Sequence, residues 1–316
     1  MGREEMTAYK KPTVEISEVE VVLRKHFSSD VTGMTPLEGG GNISTVFSFT
    51  SFDKEYVIKF CDLAGSFETE KFISTLLSSQ GIPFPLCLEL GNFKSLNYII
   101  SEKINGHNLN SCSYEQQHRM LPEVIQILTR MNHVKLGTTK GYGMINLSGN
   151  GTYNSWMEHI IATHAEDLAD GFWEGWHSLF KTSCLEKDVF DECYNRLLAY
   201  STYNEPHRYF IHGDFHQYNI LSNGQRITGV IDSNGKYGDF LIDLATLDWH
   251  IKTHLKLDVV QRYQNYQQEM GITLPNFKER LIGAKYYNGL IGLRFYAKMG
   301  WNDSYFELRD ELLSLI

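Results

Sequence analysis

Residues 209–232, YFIHGDFHQYNILSNGQRITGVID, place Asp214, Asn219 and Asp232 at the borders of short apolar runs. Burial makes charge costly in such surroundings, so these groups are either solvated turn residues or ligands for something bound. Asn223 and Gly224, between NIL and RITGVID, are a hairpin signal. A hairpin would bring Asn219, before its first strand, and Asp232, at the close of its second, to the same end of the ribbon. Asp214 sits in the loop entering that end. Carboxylate and amide oxygens are hard ligands that suit Mg²⁺, which takes its other partners from phosphate and water. Asp214 is then left to orient a hydroxyl and accept its proton, the D-x-x-x-x-N plus strand-end aspartate arrangement of phosphoryl transfer. Any one of the three alone is more often a turn former. Spaced by 5 and then 13 residues in this order, they favour a site.

The rest of the chain must hold that hairpin. At 316 residues, with 42% hydrophobic and 21% charged content, an ordinary globular protein of two lobes is expected. Residues 14–27 have the apolar spacing of an amphipathic helix. From Met34 the pattern turns β-rich, with a turn near Asp53 and Lys54, and FETEKFISTLLSSQG reads as a helix closed by Gly81. Two further strands are expected around a turn at Gly91 and Asn92. Beyond Gly106 the balance tips to helix, from LPEVIQILTRMNHVKL through a glycine-punctuated loop, GTTKGYGMINLSGNG, to NSWMEHIIATHAEDLADGF and EKDVFDECYNRLLAYS. After the hairpin come FLIDLATLDWHIKTHL, DVVQRYQNYQQEM and FKERLIGAKYYNGLIGLRFYAK, all at helical period.

The runs IHGDFHQYNIL, GVID and IDSNGKYGDFLIDLA resemble the signature of the aminoglycoside phosphotransferase family, whose protein-kinase-like fold is shared with choline and homoserine kinases. The resemblance implies an α+β, two-lobe fold. A small β-rich nucleotide-binding lobe would span residues 1–104, and a large helical lobe with the acceptor site residues 105–316. It implies Asp214 as the catalytic aspartate and Asn219 and Asp232 as the Mg²⁺ ligands, with His212 bracing the loop and Asp239 and Asp243 structural. Gln217-Tyr218 and Ser233 depart from the family's usual Pro-Gly and Trp, which bears on pocket shape and not on the reaction.

A kinase of this kind also needs a strand lysine for the α/β-phosphates, a helix glutamate beside it and a loop over the triphosphate. YVIKF offers Lys59 inside an apolar strand. Glu70 is the family's choice for its partner, with Glu68 the local competitor. EGGGNIST offers Gly40, Gly41, Asn42 and Ser44, whose backbone N–H groups could fold over phosphates, although no GK[ST] of a Walker loop follows. YIISEKINGHNL fits the family's interlobe linker, with the backbone at Glu102 and Ile104 facing the purine. ATP, with GTP as the alternative, and Mg²⁺ are the implied cofactors.

GYGMINLSGNGTYNSWMEHIIA and the C-terminal LIGLRFYAKMGWNDSYFELRDELLSLI resemble the hygromycin-modifying group of that family. This implies an aminoglycoside O-phosphotransferase that gives antibiotic resistance; another small-molecule kinase, acting on choline, homoserine, a sugar or a macrolide, is the alternative. Glu158, Glu166, Asp167, Asp170 and Asp248 are candidates for ammonium groups of a cationic acceptor, and Trp156, Trp173, Trp176 and Trp249 for a sugar cleft. Solvated helix faces and core packing are the plainer readings of each set. A net charge of −9 argues against nucleic-acid binding. Five scattered cysteines without CxxC spacing fit a reducing cytosol. No apolar window reaches membrane-spanning length, and a monomer or weak dimer is expected. The pairs His212/His216 and His250/His254 share the spacing of zinc ligands, but no HExxH accompanies them.

Overall fold

Helix α1 (Ile16–Phe27) turns Val19, Val22 and Leu23 to one side, the spacing of a single helical face. That face covers an antiparallel five-stranded sheet of β1 (Thr32–Pro36), β2 (Thr45–Ser51), β3 (Lys54–Cys61), β4 (Cys87–Phe93) and β5 (Leu96–Glu102), in the order β1-β2-β3-β5-β4. Val19, Val22 and Leu23 meet Phe47, Phe49, Ile58, Phe60 and Ile100 in a small core. The crossing helix α2 (Glu70–Ser78) buries Ile73 and Leu77 in a second, much larger core. The structure is a computed structural model describing residues 9–27, 31–37, 41–165, 171–255 and 257–315.

Two turns decide the sheet. Phe52 and Asp53 both take left-handed φ, closing β2 onto β3 where the turn was expected. The next turn falls at Lys94 (φ 55°), not at Gly91 and Asn92, which lie within β4. Gly91 pairs with Tyr98, and a Cβ there would stand 2.5 Å from the tyrosine hydroxyl. This glycine permits close approach rather than a turn.

The remaining chain is mainly helical, with β6 (His107–Asn108), α3 (Tyr114–Asn132), β7 (Tyr142–Ile145), β8 (Gly151–Tyr153) and α4 (Trp156–Thr163) first. Then come α5 (Leu179–Thr182), α6 (Lys187–Asn204), β9 (Tyr209–Ile211), β10 (Ile220–Ser222), β11 (Ile227–Val230), β12 (Lys236–Gly238), α7 (Leu241–Leu255), α8 (Val259–Glu269), α9 (Phe277–Met299) and α10 (Asn302–Leu313). Helix α3 begins seven residues before the LPEVIQ run because Ser113 and Gln116 form a reciprocal capping box, and it carries Pro122 inside it. The glycine-rich segment expected as a loop instead contributes β7 and β8. Helix α4 ends at Thr163, and residues 166–170 of its expected continuation lie outside the described residues.

Strands β11-β10-β6 and β8-β7-β12-β9 form two small sheets against this helical body. The long helix α9 packs on α6, α7 and α10. A β-rich N-terminal region over a helical C-terminal region gives the expected α+β, kinase-like fold. No helix among the described residues is long and apolar enough to cross a membrane.

Candidate active site

The β10–β11 hairpin sets two of the three residues. Ile220 pairs with Val230, and Ile231 N donates to Asn219 O at 2.9 Å, so Asn219 and Asp232 leave the ribbon at one end. The connecting loop is longer than the Asn-Gly pair suggests. Asn223 N donates to Arg226 O, and Asn223 Oδ1 accepts the Gln225 and Arg226 N–H groups, each at 3.0 Å. Here Asn223 uses its side chain to cap the turn, while Gly224 supplies positive φ. Gln116 and Arg119 of α3 both donate to Gly224 O and pin the tip.

The loop carrying Asp214 is held from below. Asp243 of α7 accepts the His212 N–H at 2.8 Å and the Gly213 N–H at 2.9 Å, and Asn132 of α3 also donates to it. Burial raises the Asp243 carboxyl to about 6 against those hydrogen bonds. His212 is fully buried and lowered to about 4 by burial, so its ring is neutral near pH 7. Its Nδ1 accepts the Asp214 N–H at 3.3 Å, which leaves Nε2 to donate to Ile231 O at 3.1 Å. His212 O accepts from Asn234 N and Ser233 Oγ. The histidine thus joins the Asp214 loop to the turn carrying Asp232, and neither ring nitrogen is left for zinc. The side chain of His254 lies outside the described residues.

Asp214 itself faces outward, its side chain 41% exposed. Oδ1 lies 3.1 Å from His216 Nε2, and Oδ2 accepts from Asn219 Nδ2 at 2.8 Å. Burial alone would raise this carboxyl; the hydrogen bond and charge of His216, then His212 and Asn219, outweigh it and hold it below the usual range. The His216 Nδ1 accepts the Tyr218 N–H, which places the proton on the Nε2 facing Asp214. The His216 ring lies 4.5 Å from that of His250. Tyr296, raised by burial, hydrogen bonds with Trp249 and also feels the Asp214 charge.

Lys59 crosses from the N-terminal sheet and forms an ion pair with Asp232, 173 residues away. Burial lowers the Lys59 ammonium and raises the Glu70 carboxyl, and each group's charge opposes the other's shift. Glu70, which opens α2, is the glutamate whose charge acts on Lys59, and Glu68 is exposed. Asp232 sits at φ 59°, a backbone region rare for side-chain-bearing residues. Gly41 (φ 96°) and Asn42 are exposed at the entry to β2 with Ser44, while Gly40 lies outside the described residues. Glu102 ends β5 with its N–H donated to Leu86 O. Two residues on, Ile104 packs against Gly229, and its N–H donates to no group among the described residues.

The donor set suits Mg²⁺. Asn219 Oδ1 accepts no hydrogen bond among the described residues, and with the Asp232 carboxylate it makes an all-oxygen pair. No group of three or more His, Cys, Asp or Glu side chains placed to hold a metal occurs among the described residues. The pair would thus rely on phosphate and water for its other ligands, as Mg²⁺ sites do.

Several acceptor-side expectations change. Asp248 is buried and ion-paired with Lys285 at 2.8 Å, and Glu158 caps the Asn154 N–H, so both carboxylates have structural partners. Glu166, Asp167 and Asp170 lie outside the described residues. Trp156 and Trp176 are core, and Trp173 and Trp176 sandwich Arg294. Trp249 hydrogen bonds with Tyr296, which feels the Asp214 charge. Sequence reasoning missed His216, Tyr296 and Lys236 as neighbours of Asp214. The spacings of His212/His216 and His250/His254 were visible, but they pointed to a metal instead of a carboxylate.

A family model described as the phosphotransferase enzyme family matches residues 34–275. Hygromycin-B 4-O-kinase of Escherichia coli is 28% identical over 242 residues, covering 75% of this chain and 68% of that protein. The crystal structure of aminoglycoside phosphotransferase APH(4)-Ia superposes with a TM-score of 0.78 at 22% identity, covering 95% of this chain and 98% of that one. A spectinomycin phosphotransferase, APH(9)-Ia, solved with ADP and spectinomycin, gives a TM-score of 0.63 at 14% identity over 96% and 99% of the two chains.

Proposed function

The chain belongs to the phosphotransferase enzyme family, and from that membership we propose that it moves the γ-phosphoryl group of ATP to a hydroxyl of an aminoglycoside. A hygromycin B-like acceptor is favoured, and the consequence would be antibiotic resistance in a cytosolic, monomeric or weakly dimeric enzyme. The observation that carries the reaction is the Lys59–Asp232 ion pair, formed between two distant regions with the Glu70 charge acting on Lys59, beside a partly exposed Asp214 whose carboxyl is held below the usual range. The acceptor class is supported by the likeness to hygromycin-B 4-O-kinase.

In this reading residues 1–104 bind the nucleotide and residues 105–316 the acceptor. Lys59 holds the α/β-phosphates, Glu70 steadies Lys59, and Gly40, Gly41, Asn42 and Ser44 cover the phosphate chain. Glu102 and Ile104 present backbone groups to the purine. Asn219 and Asp232 would hold Mg²⁺, which would supply charge neutralisation to the phosphates. Asp214 accepts the acceptor's hydroxyl proton as its oxygen attacks the γ-phosphorus and the bond to the ADP oxygen breaks. His216 and Asn219 each occupy one of its oxygens and fix its orientation. Most of the rate would come from positioning and electrostatics.

The fixed partners of Asp248 and Glu158 favour a second reading, in which a less cationic metabolite is the acceptor. Mg²⁺-dependent ADP release from ATP, measured across an aminoglycoside panel that includes hygromycin B, separates the two. Stimulation by a panel member is expected. ATP binding without stimulation by any of them would overturn the aminoglycoside assignment and leave the metabolite kinase.

A further inference from the structure

We infer that Lys236 is a positioning residue for phosphoryl transfer: its ammonium, wedged under Gly213, locks the loop bearing Asp214 to the turn bearing Asp232. The inference rests on the role given to Asp214 above.

Lys236 opens β12, the strand between β7 and β9, and its backbone pairs with Met144 and Ile211. The side chain is buried, yet it forms no ion pair among the described residues. Its Nζ donates to a single carbonyl, Asn234 O, at 3.1 Å. Directly above lies Gly213, at φ 80°. A Cβ there would stand 2.6 Å from Lys236 Nζ and 2.8 Å from Asn234 O. The catalytic loop and the metal-side turn therefore meet at one point, and the ammonium fills it. The same Asn234 donates its N–H to His212 O at 2.8 Å, which closes a ring of contacts around residues 212–214 and 232–236.

Burial draws the Lys236 ammonium below the usual lysine range, and the charges of Asp243 on α7 and Asp214 on the catalytic loop oppose that shift and favour its protonated form. Lys236 in turn acts on His212 and on His159 of α4, disfavouring their charged forms. Methionine has similar length and no charge to desolvate, so fold stability alone would be served as well or better by it. A buried cation with one hydrogen bond and two carboxylates at either side of a catalytic loop is an electrostatic support placed at a cost to the fold. It acts through Asp214 and the Asp232 turn, not by touching substrate.

The test compares the full-length protein with Lys236→Met, Lys236→Gln and Asp214→Asn. ADP release is followed with Mg²⁺-ATP and hygromycin B, and separately with water as acceptor, together with nucleotide affinity and Tm. Lys236→Met is expected to keep or raise Tm and to leave nucleotide Kd and acceptor KM within about threefold. It should lower kcat roughly 10- to 100-fold, the scale of a displaced catalytic group. Lys236→Gln keeps a donor for Asn234 O without the charge and should fall close to Lys236→Met. It also stands in if the methionine variant does not fold. Near-normal kcat in either variant, or equal losses of kcat and nucleotide affinity, would overturn the inference. Normal turnover in Asp214→Asn would instead sink the reading on which it rests, so the two failures are told apart.

Discussion

Asp239 and Asp214 lie 25 residues apart in sequence, and the structure treats them in opposite ways. Asp239 is wholly buried and saturated: Arg280 Nη2 and Nε each donate to it at 2.8 Å, Asn204 Nδ2 at 2.7 Å and Leu241 N at 3.0 Å. Nothing is left for a ligand. Asp214 has one partner on each oxygen and an open side, and its neighbour Asp232 has Lys59 as its one ion-pair partner among the described residues, with 35% of its side chain exposed. Saturation marks the structural carboxylate, and residual valence the one proposed to be catalytic. Both types depend on buried partners, but only at Asp239 do those partners finish the hydrogen bonding.

This contrast can be broken or sharpened by measurement. Asp214→Asn should cut kcat by roughly 10²- to 10⁴-fold, the usual worth of a positioned general base, with little change in nucleotide affinity. Steady-state ADP release together with nucleotide titration checks it, and turnover near normal would dissolve the distinction. Arg280→Met should instead strike stability, by about 3–5 kcal/mol, because it leaves Asp239 buried without its cation. Denaturant melts would show it, and an unchanged midpoint would mean that the saturated centre is dispensable. Lys59→Met should weaken kcat/KM for ATP by about 100-fold, a loss of phosphate contact on the functional side. Equal effects on folding and catalysis would count against its assignment there.

Asp243 stands between the two types, since it is saturated yet supports the catalytic loop. Its folded pKa of about 6 lies above the ordinary carboxyl value, so folding favours its protonated form. Its contribution to stability is therefore full below the ordinary carboxyl pKa and is lost as pH rises through about 6. Activity should move the other way, because a protonated Asp243 loses acceptors for the His212 and Gly213 N–H groups. A pH–kcat profile with an acid limb near 6 is expected, and a flat profile down to pH 5 would remove Asp243 from the support of the site. The smallest effect belongs to Glu68→Ala, which should leave kcat/KM within about twofold, whereas Glu70→Ala should not. Parallel kinetics of the two variants decide which glutamate serves Lys59.

The motif in residues 209–232 was legible because it is local. Asp214, Asn219 and Asp232 are brought together by one loop and one hairpin, and the pairing of β10 with β11 is written in two β-prone runs around a turn signal. The fold class was legible for the same reason, from the periodicities of β2, β3, α6, α7 and α9. Glycine misled twice. Gly91 looked like a turn but serves a close approach to Tyr98, and the segment 141–151 looked like a loop but holds Gly143 within β7 and Gly151 at the start of β8. A glycine's function depends on what packs against it, and that is not in the local sequence.

Sequence by itself determined the 214–232 spacing of the proposed catalytic residues and the hairpin that carries it, since both follow from short-range spacing and propensity. The tertiary structure alone decided which charges remained available. It paired Lys59 with Asp232 across 173 residues and locked Asp248 to Lys285. It set His216 on Asp214 and buried Lys236 beneath Gly213. The physical reason is that a charged group's role is fixed by its burial and its partners, and both come from segments distant in the chain.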